Sequence, residues 1–389
     1  MENFVYQNRT KVIFGEKKYL EIIHYLNQNK INKILIIYGK NAIKKIGLYD
    51  EITNLFSENS IEFYELSGVQ SNPILSKVHE GIELVKKNNV ELILAIGGGS
   101  VIDTAKAVSI GALYDGDVWD FYERKEEINS KLPLYVILTL SATGSEVNGR
   151  SVITNTEKKL KWSVRSEILY PEISFIDPSL QYEVTGNQLI DSACDIISHV
   201  LEFYFDNTQN SLLMDEISEG IIRTVMISTE KLLENSKDYN YRSQFSWAAS
   251  LALNEMLNCG KNGGDWSSHK IEHALSAYND ISHGKGLAII LPAWMKYVYK
   301  FNSQKFQRFA EKIFGITEKD ELKSSLIGIQ ELQNWFKKIG QTIYLNEIEI
   351  KEEELKTIAK IAEKQLPYGN IKKLNFFDII EILKLAYKN

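Results

Sequence analysis

Six short runs rich in β-branched and aromatic residues punctuate the first half of the chain: KVIFG, KILIIYG, IEFYELSG, ELILAIGGGS, LPLYVILTLS and EISFIDP. Each closes on Gly, Ser or Pro, the residues that end strands and open turns. Between them lie amphipathic segments such as NPILSKVHEGIELVKKNN, in which Ile74, Val78, Ile82 and Val85 fall on one stripe. Such alternation implies a largely parallel sheet with helices on both faces. After Pro178 the pattern changes to long helical periodicity, as in SLLMDEISEGIIRTVMISTEKLLEN. The expected architecture is therefore an N-terminal α/β domain over residues 1–180 and an all-α domain over 181–389.

Composition removes several functions. With 389 residues, 44% hydrophobic and 25% charged, the chain is that of an ordinary globular protein with room for two domains. A net charge of −6 argues against nucleic acid, whose binders present a basic face. No apolar run approaches the ~20 residues of a membrane span, and the opening MENFVYQNRTKVIFGEKK lacks the apolar core of a signal peptide. Two cysteines, Cys194 and Cys259, are too few for a disulfide framework and suit a reducing cytoplasm.

Three segments carry anion- or nucleotide-binding chemistry. ELILAIGGGSVIDTAKAVSIGA reads as a buried strand, a tight turn at Gly97, Gly98, Gly99 and Ser100, and a helix. Glycines let the backbone approach an anion, and a helix N-terminus offers it free N–H groups. A plain β-to-α turn has the same sequence, and neither GxGxxG nor a GxxxxGK[ST] P-loop is present. Asp103, four residues into the helix, caps the turn, meets the nicotinamide side of a ligand, or simply adds to the charge balance at the helix start. In ILIIYGKNAIKK, Gly39, Lys40 and Asn41 follow the strand where an NAD-selecting fold places an acid. No acid occurs before Asp50, so Lys40 suits a 2′-phosphate and hence NADP, or is a solvated loop lysine. The third segment, LTLSATGSEVNGR, offers Thr139, Ser141, Thr143 and Ser145 as short donors and acceptors, as many plain turns also do.

The chain has only six histidines, and four of them crowd into two stretches. SACDIISHVLEFYF sets Asp195 and His199 at i,i+4 on one helix face; SSHKIEHALSAY does the same with His269 and His273. His283 follows at the helix break in NDISHGKG. Such pairs converge on one ion when their helices pack. This is not HExxH, because Lys270 follows His269. Three imidazoles and a carboxylate suit Fe(II) or Zn(II). Four histidines for three places leave one over, and spacing does not rank His269 against His273.

KVIFG, GGGSVIDTAKA, LTLSATGSEVNGRSVIT, FIDPSL, DIISHVLEFYF and DWSSHKIEHALSAYNDISHGKGLAIILPAWMK stand in the order of the iron-containing (group III) alcohol dehydrogenases, which the chain resembles over essentially its full length. It looks closest to the branch with butanol dehydrogenases and NADPH-dependent aldehyde reductases. The resemblance implies a Rossmann-like N-terminal domain and a helical metal-binding domain. It places the metal ligands on Asp195, His199, His269 and His283, and a substrate-facing, proton-carrying residue on His273. It puts the pyrophosphate on Gly97, Gly98, Gly99 and Ser100, with Asp103 near the nicotinamide. Thr139, Leu140, Thr143, Asn148, Lys161 and Asn72 match further cofactor contacts. Two departures stand out: KNA replaces the small Gly/Ser run usual after the first strand-end glycine, and Leu140 replaces the second of two threonines. Lys40, with Gly39 and Asn41, keeps NADP(H) ahead of NAD(H).

The implied reaction is reversible hydride transfer between NAD(P)H and a small aldehyde or its primary alcohol, assisted by Fe2+ or Zn2+. A polyol dehydrogenase of the glycerol type and a dehydroquinate-synthase-like lyase share the architecture, since fold does not set reaction. A non-catalytic metal- or nucleotide-binding protein is the remaining alternative. The KVIFG run, read as an edge strand, suggests pairing between two copies and a homodimer.

Overall fold

The six β-rich runs become the six strands of one sheet: β1 (Lys11–Phe14), β2 (Lys33–Tyr38), β3 (Glu62–Leu66), β4 (Leu92–Gly97), β5 (Leu134–Leu138) and, after a separate hairpin of β6 (Arg150–Asn155) and β7 (Leu160–Arg165), β8 (Ile173–Ile176). The structure is a computed structural model that describes residues 1–387. The order across the sheet is β1-β8-β5-β4-β2-β3, and every pairing is parallel. Successive side chains of a strand point to opposite faces, so a sheet covered on both sides needs apolar residues at every position. β2 follows this rule: Leu35 and Ile37 enter one core cluster, and Ile34, Ile36 and Tyr38 enter the other. Helices Leu75–Asn88 and Gly99–Gly111 supply the first cluster through Val78, Val85, Ile102 and Val108. Helix Leu48–Glu58 supplies the second through Ile52 and Phe56.

The β6–β7 hairpin is the element that the strand-and-turn reading missed. β6 alternates buried Ser151, Ile153 and Asn155 with half-buried neighbours, a half-covered antiparallel pattern. Its connecting TEKK holds neither Gly nor Pro, so the usual turn signal is absent.

From Thr185 onward the chain is helical apart from its connections. Helix Gly186–Tyr204 is buried almost all round from Ser192 to Tyr204. A helix in that position should be apolar on every side, so its buried Asp195, His199 and Glu202 call for compensating partners. It packs against Leu212–Glu234 and His283–Val298, and the last of these packs on Ser267–Asn279.

The chain resolves into two compact units. One holds residues 7–184 and 235–250, the other residues 1–6, 185–234 and 251 onward. The single boundary expected near residue 180 thus omits two excursions: residues 235–250 pack with the α/β unit, and residues 1–6 with the helical one. Among the described residues, no helix is long and apolar enough to cross a membrane.

Candidate metal centre and nucleotide loop

Three helices build the candidate metal centre, all within the helical unit. Asp195 and His199 come from Gly186–Tyr204, His269 and His273 from Ser267–Asn279, and His283 is the first residue of His283–Val298. The break before His283 is local chemistry: Asp280 takes a left-handed conformation (φ 47) and its N–H returns to the Ser276 carbonyl. Ser282 is extended, and its Oγ donates to Asp191 Oδ2 at 2.7 Å, which anchors the new helix to the first ligand helix.

Asp195, His199, His269 and His283 each offer one ligand atom, all within 4.8 Å of one another. Asp195 Oδ1 lies 3.4 Å from His199 Nδ1 and 3.6 Å from His283 Nε2. The imidazoles of His199 and His269 sit 4.7 Å apart, those of His269 and His283 5.3 Å. His269 Nε2 is buried and makes no hydrogen bond, which is costly unless a cation takes its lone pair. Oxygen and imidazole donors in this number suit a first-row divalent ion, so the residues fit the metal.

His273 stands outside that set of four. Its ring is 5.5 Å from that of His283, and it is 8% exposed. With Glu272 and His283 it forms a second group whose ligand atoms also lie within 4.8 Å. On the other side, the Trp266 indole packs on the rings of His269 and His199 at 5.3 and 6.4 Å, its N–H donating to the Gly263 carbonyl at 2.6 Å.

Two residues that sequence reasoning passed over are central here. Glu202 and Glu272 are both fully buried, and each carboxylate meets the Nδ1 of a ligand histidine: Glu202 that of His269 at 2.7 Å, Glu272 that of His283. Their signal was present: each follows a ligand histidine by three residues, in HVLE and HKIE. Nearby, burial pushes the Asp265 carboxyl up to about 6, and the Glu202 charge adds to the rise.

The nucleotide segments lie in the α/β unit. β2 leads outward to β3 on one side, while β4 leads to β5 on the other, so the sheet changes direction between neighbouring β2 and β4. Open α/β sheets bind ligands beyond the strand ends at such a switch point. Gly39, Lys40 and Asn41 follow β2; Gly97, Gly98, Gly99 and Ser100 close β4 and open its helix; Thr139, Leu140 and Thr143 follow β5; Asn72 follows β3. These four segments therefore line up beyond four adjacent strands. No side chain caps the N-terminus of helix Gly99–Gly111. A Cβ on Gly99 would lie 2.4 Å from Thr143 Oγ1 and one on Gly98 3.0 Å from Leu140 Cβ, so the loop after β5 closes on the glycines as only glycine permits. This backbone cradle fits a pyrophosphate.

Asp103 and Asn148, expected among the cofactor contacts, take part in a buried hydrogen-bond network beside the glycine loop. Asp103 accepts from Ser145 Oγ at 2.6 Å and from the Val152 N–H at 3.0 Å. Asn148 donates to the Gly144 carbonyl at 2.8 Å and accepts from the Arg150 N–H at 2.9 Å. Between them sits Lys106, fully buried, whose ammonium donates to the Ser145, Asn148 and Arg150 carbonyls at 2.7–2.8 Å. Burial pulls that ammonium down to about 7 against the opposing pull of Asp103 and Glu146, and burial raises the Asp103 carboxyl. The three residues pin the loop after β5 and the start of β6 to the glycine-loop helix. Lys161 Nζ donates to Asn72 Oδ1 at 3.1 Å, and Lys40 is exposed.

Comparison with known proteins covers both halves of the chain. The iron-containing alcohol dehydrogenase model matches residues 9–178, and the C-terminal model of the Fe-containing alcohol dehydrogenase family matches 189–387. The chain is 39% identical over 391 residues to NADH-dependent butanol dehydrogenase A of Clostridium acetobutylicum, covering 100% of each protein. It is 28% identical to the NADPH-dependent aldehyde reductase YqhD of Escherichia coli, covering 94% of each. The crystal structure of NADH-dependent butanol dehydrogenase A from Thermotoga maritima superposes with a TM-score of 0.97 at 46% identity, over 100% of this chain and 99% of that one.

Proposed function

Because this chain belongs to the iron-containing alcohol dehydrogenase family, and so is an NAD(P)H-dependent alcohol and aldehyde oxidoreductase, we propose that Asp195, His199, His269 and His283 hold its divalent metal. We further assign Gly97–Ser100 to the cofactor pyrophosphate and short aliphatic aldehydes such as butanal as its substrates. The observation that carries the reading is the convergence of four ligand atoms around the unsatisfied His269 Nε2. The metal, Fe2+ or Zn2+, supplies a Lewis acid for the substrate oxygen, and the nicotinamide supplies the hydride.

The chain's own residues do the rest. The free N–H groups of the glycine loop hold the pyrophosphate, and Lys106 keeps the neighbouring loop closed against it. His273, beside the ligand set and outside it, passes a proton between the substrate oxygen and solvent, a role suited to an imidazole near neutral pH. Butanal as substrate draws on the relatives' names, which speak of butanol.

Cofactor choice turns on the loop after β2. Residues 39–45 carry Lys40, Lys44 and Lys45 and no carboxylate, which favours the 2′-phosphate of NADPH. The names of the butanol dehydrogenases favour NADH instead. Steady-state oxidation of both cofactors with butanal, with metal content measured on the same sample, separates these readings. A strong NADH preference removes the role given to Lys40. No oxidation of either with any aldehyde, after reconstitution with Fe2+ or Zn2+, sinks the whole assignment.

A homodimer completes the proposal. β1 lies at the sheet edge, where Phe14 and Trp247 are 37% and 41% exposed and meet edge to face at 6.0 Å. An exposed edge with aromatic cover is a template for a second copy. Light scattering is expected to give twice the chain mass; a single-chain mass counts against it.

A further inference from the structure

The three ligand helices are interlocked by carboxylates, each reaching from one helix to a histidine on the next. From these contacts we infer that Glu202 and Glu272 are positioning residues that choose the metal-facing nitrogen of His269 and His283 and thereby set metal affinity. The inference rests on the ligand set proposed above.

Glu202, on the first ligand helix, receives Ser268 Oγ at 2.5 Å, the His269 N–H at 3.2 Å and His269 Nδ1 at 2.7 Å, all on Oε1. Its Oε2 receives the Trp266 N–H. Glu272, on the second, receives His283 Nδ1 on Oε2 and Ser276 Oγ on Oε1. A carboxylate oxygen accepts from an N–H, so the tautomer that satisfies both contacts is the one with Nδ1–H donating to the glutamate. The lone pair of the neutral ring is then on Nε2 in both histidines. These are the atoms aimed at the ligand set: His269 Nε2 is buried without a hydrogen bond, and His283 Nε2 lies 3.6 Å from Asp195 Oδ1.

Glu272 decides between two uses of His283. The ring belongs both to the set with Asp195 and to the second group with Glu272 and His273. Holding Nδ1 on Glu272 commits Nε2 to the Asp195 set and keeps His273 out of it. The packing reserves the space: a Cβ on Gly286 would lie 2.7 Å from Glu272 Cγ, so any side chain there displaces the carboxylate. Glu202 and Glu272 are fully buried, and partners of this type commonly change metal affinity 10–100-fold when removed.

The test uses the full chain, stripped with a chelator and titrated with Co2+, reading Kd by chelator competition and the visible Co2+ spectrum. Glu272→Ala and Glu202→Ala are expected to weaken Co2+ binding by about 10–100-fold and shift the spectrum. Glu272→Gln keeps an acceptor for Nδ1–H and should recover part of the affinity. A purely structural role would lower the melting temperature of the metal-free protein and leave Kd unchanged. A Kd within threefold of the wild type in both alanine variants overturns the inference. Should either fail to fold, Glu202→Leu and Glu272→Leu, which fill the space without an acceptor, decide it, and a Kd within threefold of the wild type in both overturns it. Asp195→Asn is the control: if it binds Co2+ as tightly as the wild type, the metal centre itself is misassigned, and the inference falls with it.

Discussion

The two sites of this protein are built in opposite ways. The candidate metal centre is made of side chains: Asp195, His199 and His269 buried, His283 half-buried, and two fully buried glutamates beside them. The candidate nucleotide loop is made of the absence of side chains: glycines at a strand end, an uncapped helix, and a neighbouring loop that closes where a Cβ would stand. The first is broken by taking atoms away, the second by adding them. Buried charge needs compensation from specific partners, whereas backbone N–H groups need only clear approach.

That contrast can be tested by removal in one site and addition in the other. The largest effect is expected from Asp195→Asn or His269→Ala. Either should lose the metal and lower kcat/KM by roughly three orders of magnitude, equivalent to about 4 kcal/mol of transition-state stabilisation. NADPH binding, followed by fluorescence, should persist; its loss along with the metal would merge the two sites energetically and end the comparison. His273→Asn should retain the metal and lower kcat by about a hundredfold. Loss of the metal in that variant would mean that His273 is a ligand.

Gly99→Ala reverses the logic by adding one methyl group. With its Cβ 2.4 Å from Thr143 Oγ1, it should raise the cofactor KM by about tenfold, at unchanged metal content. The double variant Gly99→Ala/Thr143→Gly should recover much of that loss, and no recovery would place the clash elsewhere. The smallest effect belongs to Lys40→Ala. An exposed cation is worth little, so the KM for NADPH should rise about fivefold while that for NADH stays constant. Equal changes for both cofactors would remove Lys40 from 2′-phosphate recognition.

Legibility in the sequence differs between the two regions as well. The six parallel strands were readable because each is an apolar run closed by Gly, Ser or Pro, whereas the β6–β7 hairpin turns on TEKK and carries no such mark. Asp195–His199 was readable because i,i+4 spacing places both on one helix face whatever the surroundings. Glu202 and Glu272 have the same kind of spacing, but a glutamate in a helix ordinarily faces water, so nothing local flagged them. Lys106 was passed over for the same reason: its buried bonds to the Ser145 and Asn148 carbonyls, and the bond from Ser145 to Asp103, join residues about 40 positions apart.

By itself the sequence determined the parallel α/β half, the helical half, the glycine turn at a strand end and the crowding of four histidines with one aspartate. All of these follow from local periodicity and spacing, which a chain carries in any fold. Tertiary structure alone decided that β2 and β4 are neighbours, so that two distant glycine segments share one switch point. Spacing left His269, His273 and His283 unranked, and the packing of three helices groups His269 and His283 with Asp195 and His199. Tertiary structure also chose which carboxylate meets which imidazole, since hydrogen bonds are decided over distances of about 3 Å that spacing along a chain cannot express.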